Sequence, residues 1–135
     1  LIAGIYNIVM SMPLITPFTA KLQFNLIKFL NEKVFNLGGA PIAFPVSDPF
    51  TIVIINMAGI GLLLIGSIIT YSSFDPVKNK VIILINALGR IYFGLLILLY
   101  FFPVMNIARI FISFAVIDFA FGCIFIYYLI KSKKV

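Results

Sequence analysis

Two neighbouring apolar runs, about 76 to 102 and about 103 to 130, each hold one formal charge near the middle, Arg90 in the first and Asp118 in the second. As helices, runs of this length reach about 40 Å, more than the roughly 30 Å of a bilayer's hydrocarbon core. A charge at that depth costs roughly 2.5–3.5 kcal/mol on insertion scales and normally faces a partner or a polar cavity. Asn86 precedes Arg90 by one helical turn, so its amide and the guanidinium share a face. Arg90 follows Pro76 by fourteen residues and Asp118 precedes Lys131 by thirteen. At helical rise, that sets the two charges about 21 Å and 20 Å from the same surface. They are expected to pair.

Composition closes off a soluble alternative. Of the 135 residues, 63% are hydrophobic and 10% charged, against about 45–50% and 25% in soluble domains. The mean hydropathy is +1.21. The length suits one transmembrane domain, residues 1–135, of four spans. The net charge of +6 is scattered over connections and tail, which fits positive-inside flanks and lipid headgroups and not nucleic acid. The chain has no His, so it offers no haem or metal imidazole, no Ser-His pair and no His proton relay. Its one Cys, Cys123, lies in the last apolar run and reads as a packing residue.

Taken in order, the chain opens at Leu1 inside an apolar run without a charged start, so residues upstream are expected to have been removed. The first span is expected over about 1–14, with Pro13 near its exit. From Lys21 to Leu37, the residues Lys21, Asn25, Lys28, Glu32 and Asn36 recur at helical spacing opposite Leu22, Leu26, Ile27, Leu30, Val34 and Leu37. That pattern predicts an interfacial amphipathic helix over about 20–37, stopped by Gly38-Gly39. Ser47-Asp48-Pro49 is a helix start, and the second span is expected over 49–71. Along it Asn56, Gly59, Leu63, Gly66, Ser67 and Thr70 form a small-and-polar stripe suited to close helix approach. Phe74-Asp75-Pro76 repeats the cap-then-Pro device, so the third span, 76–102, is expected to be an antiparallel neighbour of the second. Pro103 is expected to break the run before a fourth span, 104–130, and a basic tail, 131–135. Five cations (Lys78, Lys80, Lys131, Lys133, Lys134) on the side of the 72–80 turn, against four (Lys21, Lys28, Lys33, Arg109) on the other, give an N-in, C-in orientation.

Each span thus carries one buried polar group on a small-residue face: Asn7, Asn56, Asn86 with Arg90, and Asp118. Facing inward, these make a polar centre that fixes helix register, lines a pocket for a ligand or headgroup, or forms a proton or ion path. Catalysis is poorly served, because Asp118 is the only acid at depth and no hydroxyl has a base beside it. Metal ligation has one carboxylate and one thiol to draw on, and no cofactor motif is present.

Gly4-Ile5-Tyr6-Asn7, Asp75-Pro76-Val77-Lys78, Gly89-Arg90 and Asp118-Phe119 together resemble small bacterial four-helix membrane proteins of the DoxX-like type. The resemblance implies a four-helix bundle in a bacterial inner membrane and an accessory role in a larger complex. It names no substrate, and the 20–37 segment departs from it. The expected protein is therefore an all-α, four-span, non-enzymatic accessory or scaffold subunit, with lipid and other membrane subunits as partners. The alternative is a small-molecule or lipid-binding bundle, with a carrier as one form of it, built on Arg90, Asp118, Asn86, Asn56 and Asn7.

Overall fold

The computed structural model of the chain describes residues 1–132; Lys133, Lys134 and Val135 of the basic tail lie outside the described residues. Every regular element among the described residues is helical. Helix α1, Ile2–Ser11, runs into a 3-10 turn, Met12–Ile15, and α2, Pro17–Phe29, ends in a π turn, Leu30–Val34. The long helices are α3, Pro49–Ser72, α4, Lys80–Met105, and α5, Ile110–Lys131. These three are long and apolar enough to cross a membrane; α1 and α2 pass the same test only as a pair bent through 117°.

Local chemistry explains most of the boundaries. Thr16 is extended (φ −122°, ψ 150°) because Pro17 follows it, and its hydroxyl oxygen accepts from Thr19 N. The break after α1 therefore falls at Thr16-Pro17, while Pro13, expected at the exit, sits inside the 3-10 turn. Asp48 caps α3, accepting from the amides of Phe50 (3.1 Å) and Thr51 (3.2 Å) and from the Thr51 hydroxyl. The Thr51 hydroxyl and these amides hold the Asp48 carboxyl below the usual carboxylate range. Asp75 accepts from Lys78 N, which makes a turn of 76–79 and delays α4 to Lys80, four residues past the expected start at Pro76.

Pro103 does not break the run. Its ring would clash with the carbonyl four residues back, but a π turn over Ile97–Phe101 widens the helix just ahead of it. The helix continues to Met105 and stops at Asn106, in the left-handed region at φ 47°. The fourth expected span accordingly begins at Ile110, six residues later than 104. The stop for α2 likewise comes at Asn36 (φ 47°), before the expected Gly38-Gly39. Gly39 has a different role. At φ 91° its Cα lies so close to the next connection that a Cβ would meet the Ile107 carbonyl at 2.5 Å.

The helices pack as two antiparallel pairs, α1 on α3 and α4 on α5. In the first, Gly66 faces Asn7 and Ile8, and Gly59 faces Leu14; a Cβ on Gly66 would lie 2.9 Å from Asn7 Cβ. In the second, Gly122 lies against Ala87 and Ile91, and Gly94 against Ala115 and Phe119. Small residues at these positions let backbones approach where lipid supplies no hydrophobic force. The expected neighbours α3 and α4 touch only slightly despite their short connection. Two thirds of the expected stripe on α3 is used up on α1 and the 3-10 turn that follows it: Gly66 and Thr70 face α1, Asn56 and Gly59 face Leu14, whereas Ser67 is exposed and bonds back to Leu63 O.

Leu1, Ser73, Pro76 and Tyr128 gather at one end of the molecule, where Lys80 Nζ also donates to Ser132 O (3.1 Å). At the other end α2 and the 35–48 connection pack on the start of α5, around Ile42, Ala108 and Ile110. Here α2 presents three faces. Ala20, Phe24, Ile27 and Asn31 turn toward the protein, Lys21, Asn25 and Lys28 are exposed, and Phe18, Leu22, Leu26 and Phe29 form a separate exposed apolar stripe. The apolar side expected to act as one surface is thus divided: Ile27, Leu30 and Leu37 pack inward, Leu22, Leu26 and Val34 do not.

Candidate functional site

Arg90 is the meeting point of the two helix pairs. Ala87 and Gly94 bracket it on α4 and give α5 room to come close. Its guanidinium ties α4 to two other helices at once while only 6% exposed. Nη1 is bonded to Asp118 Oδ1 on α5, and Nη2 donates to Asn7 Oδ1 (2.6 Å) and the Ala3 carbonyl (3.3 Å) on α1. The small side chain of Ala3, 3% exposed, leaves that carbonyl open to the approach. Arg90 Cζ also stands 5.3 Å from the centroid of the Phe121 ring, within cation–π range. A planar fork of fixed donors suits this task; a lysine would supply one point charge in its place.

The network does not satisfy every donor. Arg90 Nε and, one turn earlier, Asn86 Nδ2 are buried with no hydrogen-bond partner. Both residues belong to the wall of a cavity of about 590 Å³ that separates α3 from α4. Tyr6, Asn7 and Asp118 complete its polar side, Gly89 leaves room on the α4 wall, and the rest of the lining is apolar. Rim residues Leu62, Ile65, Ile85 and Phe93 are between 43% and 65% exposed, so the cavity opens sideways between the helices.

Of the five polar residues singled out from the sequence, Arg90, Asp118 and Asn7 are joined directly. Asn86 lines the cavity beside them. Asn56 stands apart: its Nδ2 donates to the Leu14 carbonyl (2.6 Å), fastening the 3-10 turn ahead of the α1–α2 bend. A polar centre fed by all four long segments is therefore replaced by one fed by α1, α4 and α5, because α3 spends its polar face on α1.

Three further residues matter that the pattern analysis passed over. Asn31, 2% exposed, accepts from Ile110 N (3.1 Å) and donates to the Gly38 carbonyl (3.2 Å), so one amide both caps α5 and ties down the 35–48 connection. Its signal was a lone amide on the apolar side of α2, off the polar stripe. Gln23 donates to the Met10 carbonyl (2.8 Å) and holds α2 to α1 across the bend. Tyr6 lines the cavity with its ring against Phe121, centroids 6.0 Å apart. Among the described residues no three His, Cys, Asp or Glu side chains stand close enough to hold a metal ion. Cys123 faces outward as a free thiol.

No protein-family model, no curated protein and no solved structure matches the chain. What is established is the class: an all-helical chain with several helices able to cross a membrane.

Proposed function

We propose that the protein is a four-segment bacterial inner-membrane protein that takes up an apolar or amphipathic small molecule, such as a lipid, from the bilayer into the cavity between α3 and α4. In this arrangement α3, α4 and α5 span, and α1 enters from the same side as the 73–79 turn and the end of α5. Helix α2 lies in the opposite interface with its lysines toward headgroups and Phe18, Leu22, Leu26 and Phe29 toward acyl chains. The end with the 73–79 turn is cytoplasmic.

The observation that carries the proposal is the cavity. Its volume of about 590 Å³ falls within the roughly 300–1,000 Å³ of small-molecule sites, and such sites are apolar with a few convergent polar groups. Its rim lies on the exposed flank of apolar helices, where an occupant arrives from lipid and not from water. The rigid clamp of Arg90, Asp118 and Asn7 supports one side and keeps the two helix pairs at a fixed spacing.

An accessory or scaffold subunit would have the same opening covered by a helix of another subunit. Purification in a mild detergent, followed by native mass spectrometry, distinguishes the two. The expected result is a lone chain carrying a bound lipid-sized molecule, which Gly89→Leu removes by filling the wall while the helix content stays unchanged. A stoichiometric protein partner, or bound mass indifferent to Gly89→Leu, overturns the proposal.

A further inference from the structure

Resting on that reading of the cavity, we propose that its ligand carries an uncharged polar head, such as an ester, amide or alcohol, on a long hydrocarbon body, and not a carboxylate or phosphate. The charges around the cavity already balance. Arg90 and Asp118 are the only formally charged residues in the lining, and they are bonded to each other. An entering anion would have to draw Arg90 away from Asp118. That would strand a carboxylate among apolar walls, the arrangement that low-dielectric surroundings penalise most.

Hydrogen-bonding groups of both kinds remain beside that pair. Arg90 spends Nη1 on Asp118 Oδ1, and Nη2 on Asn7 Oδ1 and the Ala3 carbonyl. What remains over is both acceptors and donors: Asp118 Oδ2, Asn86 Oδ1 and the Tyr6 hydroxyl make no hydrogen bond, and two N–H groups lack an acceptor. Asn86 Nδ2 and Arg90 Nε have no partner, and they stand one turn apart on the same wall. Both nitrogens are buried, and Arg90 is held in place by its bonds to Asp118, Asn7 and Ala3. Asn86 can turn its amide into the cavity about χ2, a broad torsion, with no backbone movement. A site with no surplus charge, a few open donors and acceptors and an apolar remainder selects an uncharged polar group attached to hydrocarbon.

A matched pair of probes tests this: a fatty acid with a photoreactive diazirine in its tail, and the methyl ester of the same acid. Both are offered to the purified full chain in detergent at alkaline pH, where the acid is ionised, and cross-linked peptides are mapped. The ester is expected to label 62–69 and 82–93 about tenfold more than the acid, a ratio that corresponds to about 1.4 kcal/mol. Asn86→Leu should cut that labelling several-fold with unchanged helix content. Asp118→Asn, which frees the charge on Arg90, should shift the preference toward the acid. Equal or stronger labelling by the acid in the wild-type chain, abolished by Gly89→Leu, overturns the head-group assignment while leaving the cavity as a binding site. Labelling spread over all the apolar helix flanks and insensitive to Gly89→Leu overturns both. Should Asp118→Asn fail to fold, the wild-type pair and Asn86→Leu still decide.

Discussion

Arg90 is bound more richly than a partner of Asp118 alone would be, and that changes what its removal should do. Loss of one member of a buried pair typically costs about 3–5 kcal/mol, because the other charge is left uncompensated. Asp118→Leu strands the guanidinium but leaves it Asn7 and Ala3 as acceptors. Arg90→Leu strands a carboxylate and also severs α4 from α1. The Arg90 variant should therefore be the less stable of the two. The double variant should regain much of the loss, since no lone charge remains, yet stay below wild type because Asn7 has lost its donor. Melting of the four proteins in one detergent, treated as a double-mutant cycle, checks this. Additive single losses, with no rescue in the double, would mean the pair contributes no coupling.

At the scale of elements, α2 is the informative case, because its two kinds of apolar residue face different surroundings. Ile27 packs on the cluster of Ile42, Ala108 and Ile110, whereas Leu26 is 56% exposed. A carboxylate at position 27 should free α2 from the protein in any medium. A carboxylate at position 26 should matter only where acyl chains cover the exposed stripe. Limited proteolysis of the 35–48 connection is expected to accelerate for Ile27→Asp in both detergent and liposomes, and for Leu26→Asp in liposomes alone. If Leu26→Asp is silent in liposomes, α2 does not rest in the bilayer interface. The same scale shows how π turns work here. The one before Pro103 lets α4 run on where a regular helix would meet a steric stop, whereas the one over Leu30–Val34 closes α2 just ahead of Asn36.

For the whole molecule, the clustering of Leu1, the 73–79 turn and Ser132 at one end, opposite α2, makes orientation a single binary question. In a Cys123→Ser background, a cysteine at Lys78 should resist an impermeant thiol reagent in intact cells, and one at Lys28 should react. Labelling at Lys78 with protection at Lys28 would invert the proposed orientation without disturbing the fold.

Much of this was legible along the chain because helix rise, capping and hydropathy are local. The long apolar helices, the Asp48-Pro49 start and the equal depth of Arg90 and Asp118 all follow from residue spacing, which needs no knowledge of neighbours. Local errors had local causes: Asp75 makes a turn where a helix start was read, and a π turn relieves the clash expected of Pro103. The choice of partners was not legible. A short connection between α3 and α4 ties their ends together and says nothing about their flanks, so it was the glycines of α3 fitting α1, and those of α4 and α5 fitting each other, that left a cavity between the pairs. The same non-local fit sent Asn56 to Leu14 and away from Arg90, and brought Asn31 to the start of α5, seventy-nine residues along the chain. An amide in a sequence announces that it needs a partner; only the packing of backbones decides which carbonyl or amide lies within reach.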